Sequence, residues 1–189
     1  SRFSSLSFCF MNKGILLVLS GYLMWGCFPL YWALLNHVNP SEVLVHRILW
    51  SVPVLFVLVY FKSSWQANFK SSISSKKELF FLFLTAILIT INWGGYILAV
   101  NLGRVVEASM GYFLSPVINM MGGYIFFQER ISRLKQWAVF FATIGALYYV
   151  FSGDSFPWLG LLIGFTFSSY GVARKAMVTS AVPGLYIET

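Results

Sequence analysis

Charge is what this chain has least of. Only 10% of its 189 residues are charged, thirteen of them basic and six acidic, with two His besides. A soluble domain carries about 25% charged residues to cover its core. A water-facing surface is therefore excluded, and with it a soluble enzyme and a disordered chain. Cysteine is as scarce. Cys9 lies near the N-terminus and Cys27 inside an apolar run, which argues against a disulfide-stapled secreted module. No metal-ligand spacing of His, Cys or Glu occurs, and no Gly-rich phosphate loop. Gly153-Asp154 matches part of an intramembrane aspartyl protease motif but has no second Asp in an apolar span. Ser109 and His46 lack any nucleophile-elbow context. The expectation is no catalytic residue, no metal and no cofactor.

What the chain has in abundance is apolar and aromatic surface: 58% hydrophobic residues and 19% aromatic, with 19 Phe, 10 Tyr and 7 Trp. A bilayer core of about 30 Å needs roughly 20 apolar helical residues. Six stretches meet that test, at 14–36, 42–61, 79–100, 105–127, 134–151 and 156–172. Each is apolar on nearly all sides, unlike an amphipathic helix. The expected fold class is an all-α polytopic membrane protein with six transmembrane helices, its partner the lipid bilayer.

The net charge of +7 would point to nucleic acid in a soluble protein. Here the cations sit between apolar runs, so no nucleic-acid partner is expected. Of the thirteen Lys and Arg, all but Arg47 and Arg104 fall on one side when the six helices alternate across the bilayer. That bias puts the N-terminus in the cytoplasm. Residues 1–13 read as a leader, with the natural start expected at Met11. The apolar run that follows is too long for a signal peptide and lacks a small-residue cleavage site. At the other end, residues 181–187 follow the basic pair Arg174-Lys175 and read as the run-up to a seventh span. Trp25-Gly26 in the first helix is echoed by Tyr170-Gly171 in the sixth, with Tyr22 opposite Phe167. A five-helix repeat has odd parity, so a second copy must be inverted. Residues 14–152 would form the first repeat, and 156–189 a truncated start of the second.

Polar residues inside the spans are few. Gly160, Gly164 and Ser168 in the sixth helix, and Ala138, Ala142 and Ala146 in the fifth, follow four-residue steps that suit close helix packing. Glu107, Gly111, Ser115 and Asn119 form a stripe of the same spacing on the fourth helix. Packing explains its glycine and serine but not its carboxylate and amide. Arg47 and Glu107 enter from the same outer side at similar depth, and are expected to pair. The pair reads either as a fixer of helix register or as a coupling element. His46 reads as a proton relay or as a plain hydrogen-bond donor. Asn92 needs partners, Trp93 and Tyr96 are interfacial anchors or cavity walls, and Asn101 lies just past the third helix. Pro29, Pro53 and Pro116 are expected to kink their helices around a central space.

Several motifs together resemble the RarD-like members of the EamA family, in the drug/metabolite transporter superfamily. They are His46-Arg47-Ile48-Leu49-Trp50-Ser51, Asn92-Trp93, Ala99-Val100-Asn101 and the run from Glu107 to Phe113. Pro116-Val117-Ile118-Asn119, Glu129-Arg130 and Gln136-Trp137 continue the series in order, and the resemblance extends from about Gly14 to Thr189. It implies ten transmembrane helices in two inverted repeats around a substrate cavity, in the bacterial inner membrane. The cavity positions it implies are Arg47, Asn92, Trp93, Tyr112 and Asn119. Gln128 stands where a Gly often precedes Glu-Arg, and Ser115 where an Asn often precedes the proline. Two functional readings follow. One is a permease or exporter moving a small-molecule substrate, a metabolite or drug, by alternating access. The other is a non-transporting accessory or regulatory membrane protein. Oligomeric state, substrate, direction and coupling ion are not legible in the sequence.

Overall fold

The computed structural model describes residues 2–35, 37–152 and 156–189, with side chains from Gly14 onward. Among the described residues the regular structure is all helix. The elements are α1 (Arg2–Ala33), α2 (Pro40–Tyr60), α3 (Ser63–Ser74), α4 (Lys76–Asn101), α5 (Val105–Phe127), α6 (Arg133–Ser152), α7 (Trp158–Lys175) and α8 (Ala181–Glu188). They divide into two compact units, Ser1–His37 and Val38–Thr189.

The first unit is α1. It runs without a break from Arg2 into the apolar stretch Gly14–Ala33, so the expected leader and first span share one helix, with Pro29 inside it. Leu16, Leu17 and Leu23 are all exposed, a surface that suits lipid rather than water.

In the second unit, local chemistry sets the helix ends. The Asn39 side chain accepts from the Ser41 N–H at 3.0 Å, and Pro40 occupies the first helical position of α2, where no N–H is needed. At the start of α4, Ser75 accepts from the Glu78 N–H at 3.4 Å, as Ser-x-x-Glu spacing favours. The end of α5 turns on Gln128, whose φ of 52° is left-handed. The Glu129 N–H then donates back to the Gly123 carbonyl at 3.2 Å and closes the helix end. Glycine enters that region without a Cβ penalty, so Gln128 sits where a Gly would be less strained.

Among the described residues, four helical stretches are long and apolar enough to cross a membrane: Gly14–Ala33, Pro40–Tyr60, Lys76–Asn101 and Arg133–Ser152. The other two expected spans, α5 and α7, are diluted by glycines and polar residues. These two helices pack most extensively on each other, and α4 flanks α7. Their polar stripes thus meet protein rather than lipid. A Cβ on Gly111 would collide with the Gly160 carbonyl, and one on Gly164 would come within 2.6 Å of the Gly111 oxygen. The backbones touch because there is no side chain between them. The Ser168 hydroxyl donates to the Ser115 carbonyl at 3.3 Å one step further along. The packing role read for Gly160, Gly164 and Ser168 is what the structure shows.

One segment differs from expectation. The lysine- and serine-rich connection before the third apolar run holds a helix, α3. Its Trp65, Phe69 and Ile73 recur at four-residue spacing, the pattern of an amphipathic segment. Residues 181–187 lie in α8, which packs on α2, α3 and α4. The Tyr186 ring lies 6.3 Å from that of Phe56 and 5.5 Å from that of Phe69. Helix α7, expected to open a second repeat, is central to the same compact unit as α4 and α5.

Three substitutions test this description by thermal stability of the purified full-length protein. Gly111→Ala is expected to lower the melting midpoint sharply or abolish a monodisperse fold. Gly145→Ala, with nothing within 4 Å of its new methyl, is expected to be harmless. Gln128→Gly is expected to raise stability by about 1 kcal/mol through relief of the left-handed conformation.

Candidate functional site

The expected partner of Arg47 is committed elsewhere. Glu107 is only 4% exposed. Its Oε1 accepts from the backbone N–H groups of Leu159 at 2.7 Å and Gly160 at 3.1 Å. Its Oε2 pairs with Arg104 Nε at 2.6 Å. The first N–H groups of α7 have no partner within their own helix, and a negative charge there also complements the helix dipole. Glu107 thus caps α7 from α5, and Arg104, three residues away, balances its charge. This corrects the expected Arg47–Glu107 pair: a carboxylate with two backbone donors and a local arginine is already saturated. It also explains the carboxylate in the stripe, which is a helix interface rather than a cavity wall over Glu107, Gly111 and Ser115.

Arg47 instead lies over the ring of Trp93, its guanidinium carbon 4.0 Å from the ring centroid. Such a cation–π contact strengthens where water is excluded. Arg47 is also within electrostatic range of Tyr112. The Tyr112 hydroxyl donates to the Asn92 side-chain oxygen at 3.1 Å. The Asn92 amide nitrogen in turn donates to the Ile163 carbonyl at 2.9 Å and the Thr166 hydroxyl at 3.3 Å. Asn92 is 1% exposed and ties α4 to α5 and α7. The Tyr112 ring meets Tyr96 at 5.8 Å and Phe167 edge-on at 5.2 Å. Four sequence-selected residues, Arg47, Asn92, Trp93 and Tyr112, are therefore linked in one network of a cation, aromatic rings and an amide.

Asn119 is not part of that network. It lies seven residues beyond Tyr112, about 10 Å along α5. There it lines a cavity of about 510 Å³ with Pro116, Gly171 and the charged side chains of Glu129, Lys135 and Lys175. Lys175 is ion-paired with Glu129. A second cavity of about 860 Å³, between α4, α5 and α7, is almost wholly apolar. His46 is exposed on α2, and Asn101 is half-buried at the end of α4. Pro53 and Pro116 lie within α2 and α5. Gly153-Asp154 falls outside the described residues.

A polar cluster around α8 was missed from the sequence. Glu188 is 8% exposed and accepts from Thr85, Tyr170 and Arg174. Glu78 on α4 accepts from the Val178 and Thr179 N–H groups at 3.4 and 3.2 Å, and Asn68 from the Ser180 N–H at 2.8 Å. The signal that was available is a lone carboxylate within an apolar run, which at membrane depth marks a site by default.

The network predicts a ranking of thermal stabilities. Tyr112→Phe removes one interhelical hydrogen bond, a loss of about 0.6 kcal/mol within a membrane. Asn92→Leu removes all three and leaves polar groups unpaired, at about 1–3 kcal/mol. Glu107→Ala is expected to cost at least as much as a lost helix cap, about 1–2 kcal/mol. A melting series in which Asn92→Leu is no worse than Tyr112→Phe would overturn the bracket assigned to Asn92.

No solved structure matches the chain. Residues 12–151 match the model of the EamA-like transporter family. An uncharacterized transporter of Bacillus subtilis, YojE, is 37% identical over 180 residues, covering 94% of this chain and 60% of the relative. Protein RarD of Escherichia coli is 37% identical over 178 residues, with the same shares covered. A chloramphenicol-sensitive protein RarD of Pseudomonas aeruginosa is 30% identical over 180 residues, again 94% and 60%. The chain thus spans about 60% of the length of these curated relatives. With a family match over most of its length and helices built for lipid, this chain is a RarD-like member of the EamA-like transporter family.

Proposed function

We propose that the whole protein is a secondary transporter of the bacterial inner membrane, moving a small metabolite or drug by alternating access. On this reading α1, α2, α4, α5, α6 and α7 span the bilayer with the N-terminus in the cytoplasm. They belong to a ten-helix bundle of two inverted five-helix repeats, with α7 and α8 opening the second. The family match and the relatives named as transporters support the class.

The observation that carries the reading is Arg47 over Trp93, linked to Tyr112 and Asn92. A guanidinium within an apolar span is costly, and such residues mark substrate or ion pathways. A cation set against aromatic rings suits a substrate that combines an anionic or polar group with a flat apolar body. The coupling role considered for Glu107 and His46 draws no support from their surroundings, since Glu107 caps a helix and His46 is exposed.

The accessory-protein reading is favoured by one specific observation: Asn92 and Glu107 both have their hydrogen bonds met by other helices. Metabolite profiling of cells and medium separates the two. Deleting the gene is expected to shift one class of small molecule between cell and medium. The full-length protein should reverse that shift, whereas Arg47→Ala, inserted at wild-type level, should leave at least tenfold less flux. Full reversal by Arg47→Ala would assign Arg47 a structural role and favour the accessory reading.

A further inference from the structure

The cavity beside Asn119 has a shape and a charge that the Arg47 network does not use. It lies between α5, α6 and α7, at the end of these helices that carries Lys135 and Lys175. Of the residues of α6 only Ala146 is buried, fourteen positions into the helix. Nearer the start of α6, Ala138 and Val139 line the cavity, with Pro116, Met120 and Val172 supplied by the other two helices. Trp137, Phe140 and Phe141 on the same stretch are exposed, an apolar surface of the kind that meets lipid. The space beside them is therefore open to the bilayer. Its volume of about 510 Å³ is that of a ligand pocket, for which about 300–1,000 Å³ is usual.

Polar groups occur at both ends of this space. At the mouth are Glu129, Lys135 and Lys175. Lys175 is ion-paired with Glu129 and lies over the Phe127 ring, 5.1 Å from its centroid, so these two charges cancel. Lys135 is exposed and has no ion partner among the described residues. It is the third residue of α6, where the positive end of the helix dipole adds to its charge. Arg130 and Arg133, within five residues of it, are exposed as well. The mouth thus carries a surplus of positive charge. Deeper in, Asn119 lies about 12 Å along α5 from Phe127. Its amide has no hydrogen-bond partner among the described residues, and an unmet donor in apolar surroundings is costly. The ligand that fits is an amphiphile, with an anionic group at the mouth, an acceptor oxygen further in and an apolar body.

We propose that this cavity is a binding site for an anionic phospholipid of the cytoplasmic leaflet. Lys135 holds the phosphate beside the Lys175–Glu129 pair, an ester carbonyl accepts from the Asn119 amide, and the acyl chains follow Ala138, Val139 and Val172 out along α6. The site rests on the reading that α5, α6 and α7 span the bilayer with this end in the cytoplasm. Basic pockets between transmembrane helices on that side are where anionic headgroups bind. A lipid in this gap also supplies α6 with contact that its own buried surface, Ala146 alone, does not provide. A soluble phosphate compound shares the anion but has no chains to cover the apolar walls. A zwitterionic lipid brings a cation of its own to a mouth that already has a surplus.

The test is native mass spectrometry of the purified full-length protein, delipidated in detergent and then given phosphatidylglycerol or phosphatidylethanolamine with the same chains. Phosphatidylglycerol is expected to be retained about fivefold more, the discrimination that one cation supplies near an anionic headgroup. Lys135→Gln is expected to remove that preference without moving the thermal midpoint of the lipid-free protein, because Lys135 has no partner in the fold to lose. Ala138→Phe keeps the charge but fills the cavity, and is expected to lower phosphatidylglycerol retention as far. Lys70→Gln removes an exposed cation of α3 that does not line the cavity, and is expected to leave the preference intact. Equal retention of the two lipids, or a preference that survives either Lys135→Gln or Ala138→Phe, overturns the proposal. So does a preference lost equally in Lys70→Gln, which shows attraction to the basic face as a whole. Phosphatidylglycerol is also expected to raise the thermal midpoint where inorganic phosphate does not, and an equal rise assigns the site to a free anion and overturns the lipid. Because no transport is measured, lipid retention and the metabolite profile fail separately.

Discussion

Where α5 crosses α7, Gly111, Gly160 and Gly164 bring two backbones into direct contact, and the second unit is arranged around that crossing. Lipid is as apolar as leucine, so membrane helices gain little by burying leucine against leucine. Close approach supplies van der Waals contact and short interhelical hydrogen bonds instead. Once the backbones touch, the Glu107 carboxylate reaches the first turn of α7 and Ser168 reaches the Ser115 carbonyl. The same approach lets Asn92 on α4 find both the Ile163 carbonyl and Tyr112. The core of Ala99, Ala108, Leu159 and Ile163 lies in the space these contacts leave.

That geometry divides the polar residues into two kinds. Glu107 and Asn92 have every strong partner they need from other helices, so they hold the assembly together. Arg47 and Asn119 are differently placed, one over an aromatic face and the other lining a cavity. The stripe read from four-residue spacing on α5 is therefore composite. Its first three members lie in a helix interface and its last lines a cavity.

The parts of the fold that were legible in the sequence were those dictated by lipid. Long apolar runs become helices because no backbone polar group can go unpaired in a bilayer, and α2, α4 and α6 follow those runs within a few residues. The small-residue steps on α7 announced a close contact, though not its partner. The αL turn at Gln128 was legible only as a departure from a family pattern, until its φ supplied the reason. The amphipathic helix α3 escaped because its apolar stripe is short and set among serines and lysines.

Composition and hydropathy by themselves determined that this is a helical membrane chain, roughly where its apolar helices run, and which buried polar residues require partners. Motif order then placed it in its family. Only the tertiary structure decided the partners: Arg104 and the start of α7 for Glu107, Trp93 for Arg47, and Thr85, Tyr170 and Arg174 for Glu188. The reason is physical. Spacing along a helix fixes the face and depth of a charge. Which neighbour stands at that depth depends on how helices distant in sequence cross, and that is set by backbone contact at a few glycines.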